Sequence, residues 1–410
     1  MKTFILNDSN QFGGAFMKIE FSDRAKRIKA SEIRELLKLT VQPNIISFAG
    51  GLPAAELFPL ENIAEVCKSV ILNDGQTALQ YSPTEGFQKL REIIIEQRLN
   101  RVNIKAGLDE IFITSGSQQA LDFVGKMFIN EGDSIIVESP TYLGALNAFL
   151  AYDPKYIEIP LESDGMDIDK LEEILESGVS PKFLYTIPDF QNPSGITMSM
   201  EKRRRLMALA NKHDLIIIED SPYAELCFDC EQVMPIKSLD TEGRVIYLGT
   251  YSKTFAPGLR IGWVVGNPTM INKFIQIKQG SDLQTSSLDQ KIAAEYMSRY
   301  DLNDHIRMII DVYSKRRNVM LTTMKENFHP DITFTESLGG LFTWVKVRED
   351  LDTKALLAEA LMENVAFVPG ASFFANGGHH NFMRLNYSCM PEDKIRIGIE
   401  RLAKVLNKYY

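Results

Sequence analysis

Short apolar runs alternate with helix-like stretches between residues 111 and 248, and this alternation limits the fold more than any other feature. Each run has the length and the β-branched composition of a buried strand. The runs span residues 111–114, 135–138, 156–159, 183–187, 215–219 and 245–248, and helical patterns begin near residues 117, 141, 168 and 199. Strands separated by helices predict a mainly parallel α/β sheet, in which ligands bind at the carboxyl ends of the strands.

One lysine lies in the polar loop that follows the last of these runs. The loop carries Thr250, Ser252, Lys253 and Arg260 before the next apolar run begins. Desolvation between two buried strands lowers the pKa of a lysine, so its amine becomes able to attack a carbonyl. The hydroxyls and the planar guanidinium suit a phosphate group. Together these residues indicate a site for a phosphorylated aldehyde, although a lone lysine in such a loop is more often simply solvated.

Other strand ends carry polar residues that have both structural and functional interpretations. Ser115-Gly116-Ser117 follows a strand and opens a helix, which makes an anion site or an ordinary N-cap. Asn192 begins a turn signature with Pro193 and Gly195, and Asp220 closes an apolar strand, where it could cap the next element. Arg384 lies within an apolar strand and therefore needs a partner, either an internal carboxylate or a ligand.

Bulk properties exclude several classes of protein. A net charge of −9 and the lack of a basic patch argue against a nucleic-acid partner. No run is long enough for a membrane span, and the N-terminus has no signal-peptide core, so we expect a cytoplasmic protein. Cys227 and Cys230 form a C-x-x-C that could be half a zinc site or a redox pair, but no second half completes it. We therefore expect no metal.

The run Ser252-Lys-Thr-Phe-Ala-Pro-Gly-Leu-Arg-Ile-Gly-Trp263 resembles the cofactor-lysine segment of fold-type I, class I/II aminotransferases. These enzymes depend on pyridoxal 5'-phosphate (PLP). From about Arg27 onward the chain is similar to the subgroup of 2-aminoadipate (LysN-type) and kynurenine aminotransferases, and to the aminotransferase-like half of MocR regulators. The resemblance implies a large domain with a seven-stranded, mainly parallel sheet flanked by helices, and a smaller α+β domain.

The resemblance also implies a role for each motif. Lys253, Asp220 and Tyr223 would be catalytic. The residues implied for PLP binding are Tyr81, Ser115, Gly116, Ser117, Gln118, Tyr142, Asn192, Asp220, Tyr223, Thr250, Ser252, Lys253 and Arg260. The residues implied for substrate binding are Arg27, Gly50, Gly51, Tyr81, Asn192 and Arg384. Among these, Arg27 would recognise a distal substrate group, and Tyr81 would reach the active site of the neighbouring subunit in a homodimer.

These patterns divide the chain into three expected segments. Residues 1–60 would form a flexible arm, over residues 1 to about 20, and a helix from Ser31 to Leu39, both associated with the small domain and the substrate pocket. Residues 61–305 would form the PLP-binding domain, and residues 306–410 the small domain.

The expected activity is transfer of an amino group from an L-amino acid to a 2-oxo acid. The candidate donors are 2-aminoadipate, glutamate, and aromatic or branched-chain amino acids, with 2-oxoglutarate as the expected acceptor. Two alternatives use the same fold: a PLP-dependent lyase, and a non-enzymatic MocR-like effector domain. The second needs an attached helix-turn-helix module, for which the residues before Arg27 are too few.

Overall fold

The computed structural model describes residues 19–28 and 44–410. The predicted helix Ser31–Leu39 and all but the last two residues of the predicted arm lie outside these ranges. The large domain contains one sheet of eight strands. The elements before and within that sheet are α1 (Asp23–Arg27), β1 (Ile46–Ser47), β2 (Ile111–Ser115), β3 (Ser134–Ser139), β4 (Lys155–Glu162), β5 (Gly165–Met166), β6 (Leu184–Thr186), β7 (Ile217–Asp220), β8 (Val245–Thr250) and β9 (Ile261–Val265).

The strand order of this sheet is β2-β9-β8-β7-β6-β3-β4-β5. The pairs from β8 through β7, β6 and β3 to β4 are all parallel, whereas β9 is antiparallel to both of its neighbours. The mainly parallel sheet is therefore confirmed, but it has eight strands rather than the seven expected. The strand that the sequence did not indicate is β5, a two-residue edge strand antiparallel to β4. A segment this short has no periodicity to detect.

Helices cover both faces of the sheet. They are α2 (Leu60–Ala78), α3 (Gln88–Ile94), α4 (Ser117–Phe128), α5 (Leu143–Leu150), α6 (Ile168–Glu176), α7 (Met200–Lys212), α8 (Pro268–Gln279), α9 (Ser287–Arg299) and α10 (Leu302–Asn327). Side-chain caps fix several starts: Asp167 accepts from the N–H of Lys170 before α6, and Ser199 from that of Lys202 before α7. The predicted helix starts agree with the observed ones to within about two residues.

Two apolar cores result because alternate strand residues point to opposite faces. In β7, Ile217 packs with α6 and α7, while its neighbour Ile218 packs against the core beneath α4 and α5. Both side chains are fully buried. A strand buried on both faces reads as a continuous apolar run, and this is why the sequence marks these strands clearly.

The small domain packs on the second half of α10. Its elements are β10 (Thr333–Phe334), β11 (Phe342–Lys346), α11 (Thr353–Met362), β12 (Val365–Ala366), β13 (Val368–Pro369), β14 (Phe382–Asn386) and α12 (Glu392–Leu406). Four of these strands form an antiparallel sheet, and β12 pairs in parallel with β1. Helix α10 contributes Tyr313 to the large core and Met320 to the small one. The predicted domain limits near residues 60 and 305 stay predictions.

Within residues 19–28 and 44–410, no helix has the length and apolarity needed to cross a membrane.

Candidate active site

The carboxyl ends of the parallel strands converge on one cleft between the two domains. Tyr142 follows β3, Asn192 follows β6, Asp220 ends β7, and Lys253 lies just beyond β8. Arg384 reaches the same cleft from β14 of the small domain, where it donates to the Asn192 side chain. Parallel strands carry polar residues to one edge of a sheet, which is where α/β proteins bind ligands.

Lys253 lies in the loop between β8 and β9, with its ammonium in the cleft. Its Nζ donates a hydrogen bond to the carbonyl oxygen of Gly51 at 2.8 Å. Burial lowers the pKa of Lys253 to about 8, and the positive charges of Arg384 and Arg260 act in the same direction. Near neutral pH a useful fraction of this amine is therefore uncharged, as a nucleophile or a base requires.

Asp220 is a buried carboxylate with one free oxygen. Its Oδ2 accepts from the hydroxyl of Tyr185 at 2.9 Å, while its Oδ1 has no hydrogen-bond partner among the described residues. The residue is 2% exposed, and burial raises its pKa to about 7. A buried oxygen without a partner is costly, so this atom is suited to receive a ligand N–H.

Asn192, Tyr223 and Arg384 form a connected hydrogen-bond group. Asn192 Nδ2 donates to the hydroxyl of Tyr223 at 3.3 Å, and Arg384 Nη1 donates to Asn192 Oδ1 at 2.8 Å. All three side chains are buried. The amide of Asn192 thus links the two domains at the centre of the cleft.

Arg384 is a buried cation whose hydrogen-bond acceptors are neutral. Besides Asn192 it contacts the Ala49 carbonyl oxygen at 2.8 Å, and both acceptors are uncharged oxygens. Its guanidinium carbon lies 4.2 Å from the centre of the Phe342 ring and 5.2 Å from that of Phe373. Burial lowers the pKa of Arg384 to about 10, so it remains charged at neutral pH. Such a charge is stabilised when a carboxylate arrives.

The turn between β2 and α4 has the geometry of an anion cradle. Gly116 has a φ of +79°, and a Cβ placed there would lie 2.3 Å from Arg260 Nη2. Arg260 Nη2 donates to the Ser115 carbonyl oxygen at 3.1 Å. Helix α4 begins at Ser117, so its free N–H groups and its dipole face the same turn. The φ of Gly116, with a ψ of 165°, gives a backbone conformation that glycine adopts readily and other residues rarely do.

Thr250 and Ser252 complete this side of the cleft. The Thr250 hydroxyl lies 2.9 Å from that of Ser252 and also accepts from the backbone N–H of Ser252. Two predicted phosphate ligands have other contacts for their side chains: the Ser115 hydroxyl lies 3.2 Å from that of Thr285, and Gln118 Nε2 donates to the Gly144 carbonyl oxygen. The main-chain N–H of Ser115 also has a partner, since it donates to Gln119 Oε1 at 2.9 Å. Of these two residues, Gln118 therefore keeps its main-chain N–H, in the first turn of α4, as the relevant donor.

Tyr142 occupies the position directly before α5. Its ring lies against Gly144, where an added Cβ would be 2.3 Å from the ring. Burial, together with the charge of Asp220, raises the pKa of the Tyr142 hydroxyl. The aromatic ring is therefore near the carboxylate that has the free oxygen, as a stacking partner for a ring bound there would need to be.

Arg27 and Tyr81 are not among the contacts of this cleft in the single chain. Arg27 Nη2 pairs with Glu131 at 2.6 Å and with Asp153 at 3.1 Å, at the amino end of β3 and therefore at the opposite edge of the sheet. Tyr81 is 77% exposed. Gly51, in contrast, is in the cleft through its bond from Lys253, and Gly50 precedes it. The roles predicted for Arg27 and Tyr81 stay predictions.

Three contributors to the site escaped the sequence interpretation. The sequence pattern predicts Tyr185 only as part of an apolar strand, although a hydroxyl in such a strand implies a buried hydrogen-bond partner. Phe342 supplies a ring beneath Arg384, and its alternating strand pattern gave no hint of this. Cys389 donates from Sγ to the Leu52 carbonyl oxygen, and its proximity affects the pKa of Lys253.

Cys227 and Cys230 are joined by a disulfide in the loop after β7. Among the described residues, no group of three or more His, Cys, Asp or Glu side chains is arranged to hold a metal ion.

The chemistry of this cleft fits a phosphorylated pyridine aldehyde. Asp220 Oδ1 is an acceptor without a partner among the described residues, Lys253 is an amine of lowered pKa, and the turn at Gly116 together with Arg260 forms an anion cradle. Arg384 adds a buried cation whose hydrogen-bond acceptors are neutral, which suits a second anion. These donors and acceptors are those that PLP and its substrate require.

Comparison with known proteins points in the same direction. Residues 43–402 match the family described as aminotransferase class I and II. The chain is 49% identical over 393 residues to aromatic-amino-acid aminotransferase 1 of Thermococcus litoralis, with 95% of this chain and 94% of that protein covered.

Two solved structures are similar over nearly the whole chain. Kynurenine aminotransferase of Pyrococcus horikoshii, in complex with PMP, has a TM-score of 0.91 at 45% identity, covering 95% of this chain and 97% of its own. The α-aminoadipate aminotransferase of Thermus thermophilus, complexed with N-(5'-phosphopyridoxyl)-L-leucine, has a TM-score of 0.88 at 40% identity, with 95% and 97% covered.

Proposed function

The chain belongs to the class I and II aminotransferases and is a PLP-dependent transaminase, and we propose that it accepts both aromatic and dicarboxylic L-amino acids, with 2-oxoglutarate as amino acceptor. The observation that carries this proposal is Arg384, a buried cation whose described hydrogen-bond acceptors are both neutral oxygens. An α-carboxylate is the group that would satisfy it. The breadth of donors is supported by relatives named for aromatic amino acids, kynurenine and α-aminoadipate.

Each residue of the cleft has a proposed task. When bound, PLP supplies a ring that withdraws electrons from the substrate α-carbon. Asp220 would hold a proton at the pyridine nitrogen of the bound cofactor through Oδ1, since a carboxylate favours the protonated ring. Lys253 would be the base that takes the proton from the substrate α-carbon and the acid that returns it. Tyr223 and Asn192 would donate hydrogen bonds to the phenolic oxygen of the bound cofactor, and Tyr142 would pack on the face of its ring.

Arg384 and Asn192 would orient the substrate. A guanidinium binds a carboxylate through two parallel N–H bonds, which fixes the plane of that carboxylate. With the carboxylate fixed, the α C–H bond can be directed at Lys253. Orientation of this kind contributes to rate because it removes rotational freedom before the proton moves.

The cofactor phosphate would be bound at the amino end of α4. We assign it the main-chain N–H groups of Ser117 and Gln118, together with the guanidinium of Arg260 and the hydroxyls of Thr250 and Ser252. The N–H of Gly116 donates to the Thr114 carbonyl oxygen at 2.8 Å, so Gly116 would contribute through the shape of the turn. Ser115 would contribute indirectly, because its carbonyl oxygen accepts from Arg260 Nη2 and holds the guanidinium at this turn. A helix N-terminus and a guanidinium both favour a doubly charged group.

The proposal includes a homodimer in which Tyr81 reaches the neighbouring cofactor phosphate. Tyr81 is 77% exposed, and Leu72 and Leu79, which precede it on α2 and in the following turn, are each 71% exposed. Exposed apolar side chains that cluster in one stretch are typical of a protein interface. The cytoplasmic location expected from the sequence stays a prediction.

Product analysis tests the donor range and the reaction type together. Cofactor-loaded protein is incubated with 2-oxoglutarate and, in separate reactions, with 2-aminoadipate, kynurenine, phenylalanine or leucine. We expect glutamate and the 2-oxo acid of each accepted donor in equal amounts. Release of ammonia with a 2-oxo acid in the absence of any acceptor would instead indicate a lyase, and no turnover at all would indicate an effector domain.

The substrate role of Arg27 has its own test. If α1 leaves Glu131 and Asp153 to cover a substrate, Arg27→Ala raises KM for 2-aminoadipate and leaves KM for phenylalanine unchanged. Equal KM values before and after the substitution, for both donors, would remove Arg27 from the substrate site. Arg24→Ala, on the same helix, is the matched control.

A further inference from the structure

A second polar cavity lies on the side of the large sheet that faces α9 and the start of α10. It has a volume of about 200 Å³. Its polar lining includes Arg98, Arg101, Glu225, Trp263, Asn303 and Arg307. Ser221 and Thr250 also border it, and these residues adjoin Asp220 and the phosphate side of the cleft. None of the six polar lining residues named here has a task in transamination. We call this space the Arg98 cavity.

Arg98 is a buried arginine that has hydrogen-bond partners at only one of its three guanidinium nitrogens. It is 6% exposed, and a single nitrogen, Nη1, makes both of its hydrogen bonds, to Glu225 Oε1 at 2.6 Å and to Asn303 Oδ1 at 3.1 Å. Its Nε and Nη2 have no partner among the described residues. Among the described residues, four other arginines lack a hydrogen-bond partner at Nε alone, whereas Arg98 lacks one at both Nε and Nη2.

The free edge of Arg98 has the shape of an oxyanion site. Nε and Nη2 point in parallel from one side of a guanidinium, which is the pair of donors that binds carboxylate or phosphate through two oxygens. Trp263 Nε1, which is also buried without a partner among the described residues, adds a third donor in the cavity lining. The buried Ser221 hydroxyl in the lining also has no partner among the described residues and can donate as well. Glu225 Oε1 and Asn303 Oδ1, in contrast, already accept from Arg98.

The charge of the lining selects an anion over water. Three arginines line the cavity against one carboxylate, that of Glu225. Arg307 also pairs with Asp304, just outside the lining, and its side chain is 66% exposed, so it adds less than a buried charge would. Water can satisfy the donors of Arg98 but supplies no negative charge. The volume suits a small oxyanion with a few waters, since one water occupies about 30 Å³.

The local backbone supports a site built for binding. Arg98 lies in a π-helical turn, Ile95–Leu99, that continues α3. π-Helical turns are rare in proteins, and those that occur are often found at functional sites. From these observations we propose that the Arg98 cavity binds a small oxyanion, held by the Nε–Nη2 edge of Arg98 and by Trp263, with Arg101 and Arg307 at its mouth.

Calorimetric titration of the cofactor-loaded enzyme with inorganic phosphate tests the proposal. Loading with PLP fills the phosphate cradle at Gly116, and sodium chloride holds the ionic strength constant. We expect one phosphate per chain. Arg98→Lys keeps a charge near Glu225 but loses the two-donor edge, and it should weaken binding at least about tenfold. Arg307→Gln, at an exposed position that tolerates substitution, should weaken it several-fold, even if Arg98→Lys does not fold.

The control and the contrary results are defined by position. Arg204→Gln, on an exposed face of α7, should leave the affinity unchanged. Acetate in place of phosphate distinguishes a carboxylate ligand from a tetrahedral one, and binding of either that depends on Arg98 or Arg307 supports the site. No binding of either anion overturns the proposal, and so does binding that is equally strong in Arg98→Lys and Arg307→Gln, because the anion would then be adventitious or bound elsewhere.

Discussion

Replacing Arg384 by glutamine removes the buried cation and leaves a shorter, neutral side chain that can still donate hydrogen bonds. In the wild-type protein the guanidinium makes bonds of 2.8 Å to Asn192 Oδ1 and to the Ala49 carbonyl oxygen. A substrate carboxylate would add two charge-assisted hydrogen bonds, each contributing about 1.5–3 kcal/mol. Their loss, about 3–6 kcal/mol, lowers kcat/KM for an α-amino acid by about 10²- to 10⁴-fold, because each 1.36 kcal/mol is tenfold. Arg384→Lys keeps the charge and one bond, so the expected loss is about 10- to 10²-fold.

The assay compares phenylalanine with phenethylamine, its analogue without a carboxylate. Single-turnover loss of the cofactor's visible absorbance gives kcat/KM for both. We expect Arg384→Gln to lower the value for phenylalanine and to leave that for phenethylamine nearly unchanged, so the preference for the amino acid collapses. A fall of equal size for both compounds would refute the reasoning, since Arg384 would then support the fold of the cleft rather than the carboxylate.

Three further predictions follow from the pKa values and the exposed surface. In the apoenzyme, the rate of acylation of Lys253 should rise with pH with a midpoint near pH 8, because burial favours the neutral amine. A midpoint near pH 10.5, which corresponds to the usual pKa of lysine, would contradict the assignment. Asp220→Asn should stabilise the apoenzyme at pH 8 by up to about 4 kcal/mol, since a pKa raised from 3.8 to about 7 makes ionisation of the aspartate costly in the folded state. In thermal melts this gain in stability should shrink from pH 7 downwards and vanish below about pH 4, where the carboxyl is protonated in both states. A gain that does not change with pH would contradict the prediction. Co-expressed Tyr81→Phe and Lys253→Ala chains should form heterodimers with one fully active site, measured as recovered turnover; no recovery would mean that Tyr81 acts within its own chain.

The strands and the motifs at their ends could be predicted because burial on both faces leaves a plain apolar signature. The apolar run that begins at Leu215 marked β7 well enough to identify Asp220 at its end. The two-residue strand β5 could not be found, since no periodicity exists over two residues.

Contacts between residues that are far apart in the chain could not be predicted from the sequence. Nothing near Tyr185 in sequence indicates that its hydroxyl donates to Asp220, 35 positions away. Arg27 carries no local sign that Glu131 and Asp153 would pair with it. Arg98 belongs to the same class: an arginine in a helical pattern is ordinarily solvated, and only the packing of α10 and the loop after β7 makes it buried. Periodicity predicts which residues are inside, but not which polar partner they find there.

The visible spectrum of the cofactor-loaded protein, recorded with and without an amino acid donor, tests the central assignment of Lys253 most directly. We predict that the wild-type protein has a visible cofactor band that is lost with phenylalanine or 2-aminoadipate and restored by 2-oxoglutarate. In Lys253→Ala that band should be absent or shifted, and the donor should not drive the cycle. A Lys253→Ala protein with the wild-type spectrum and an intact cycle would contradict the account.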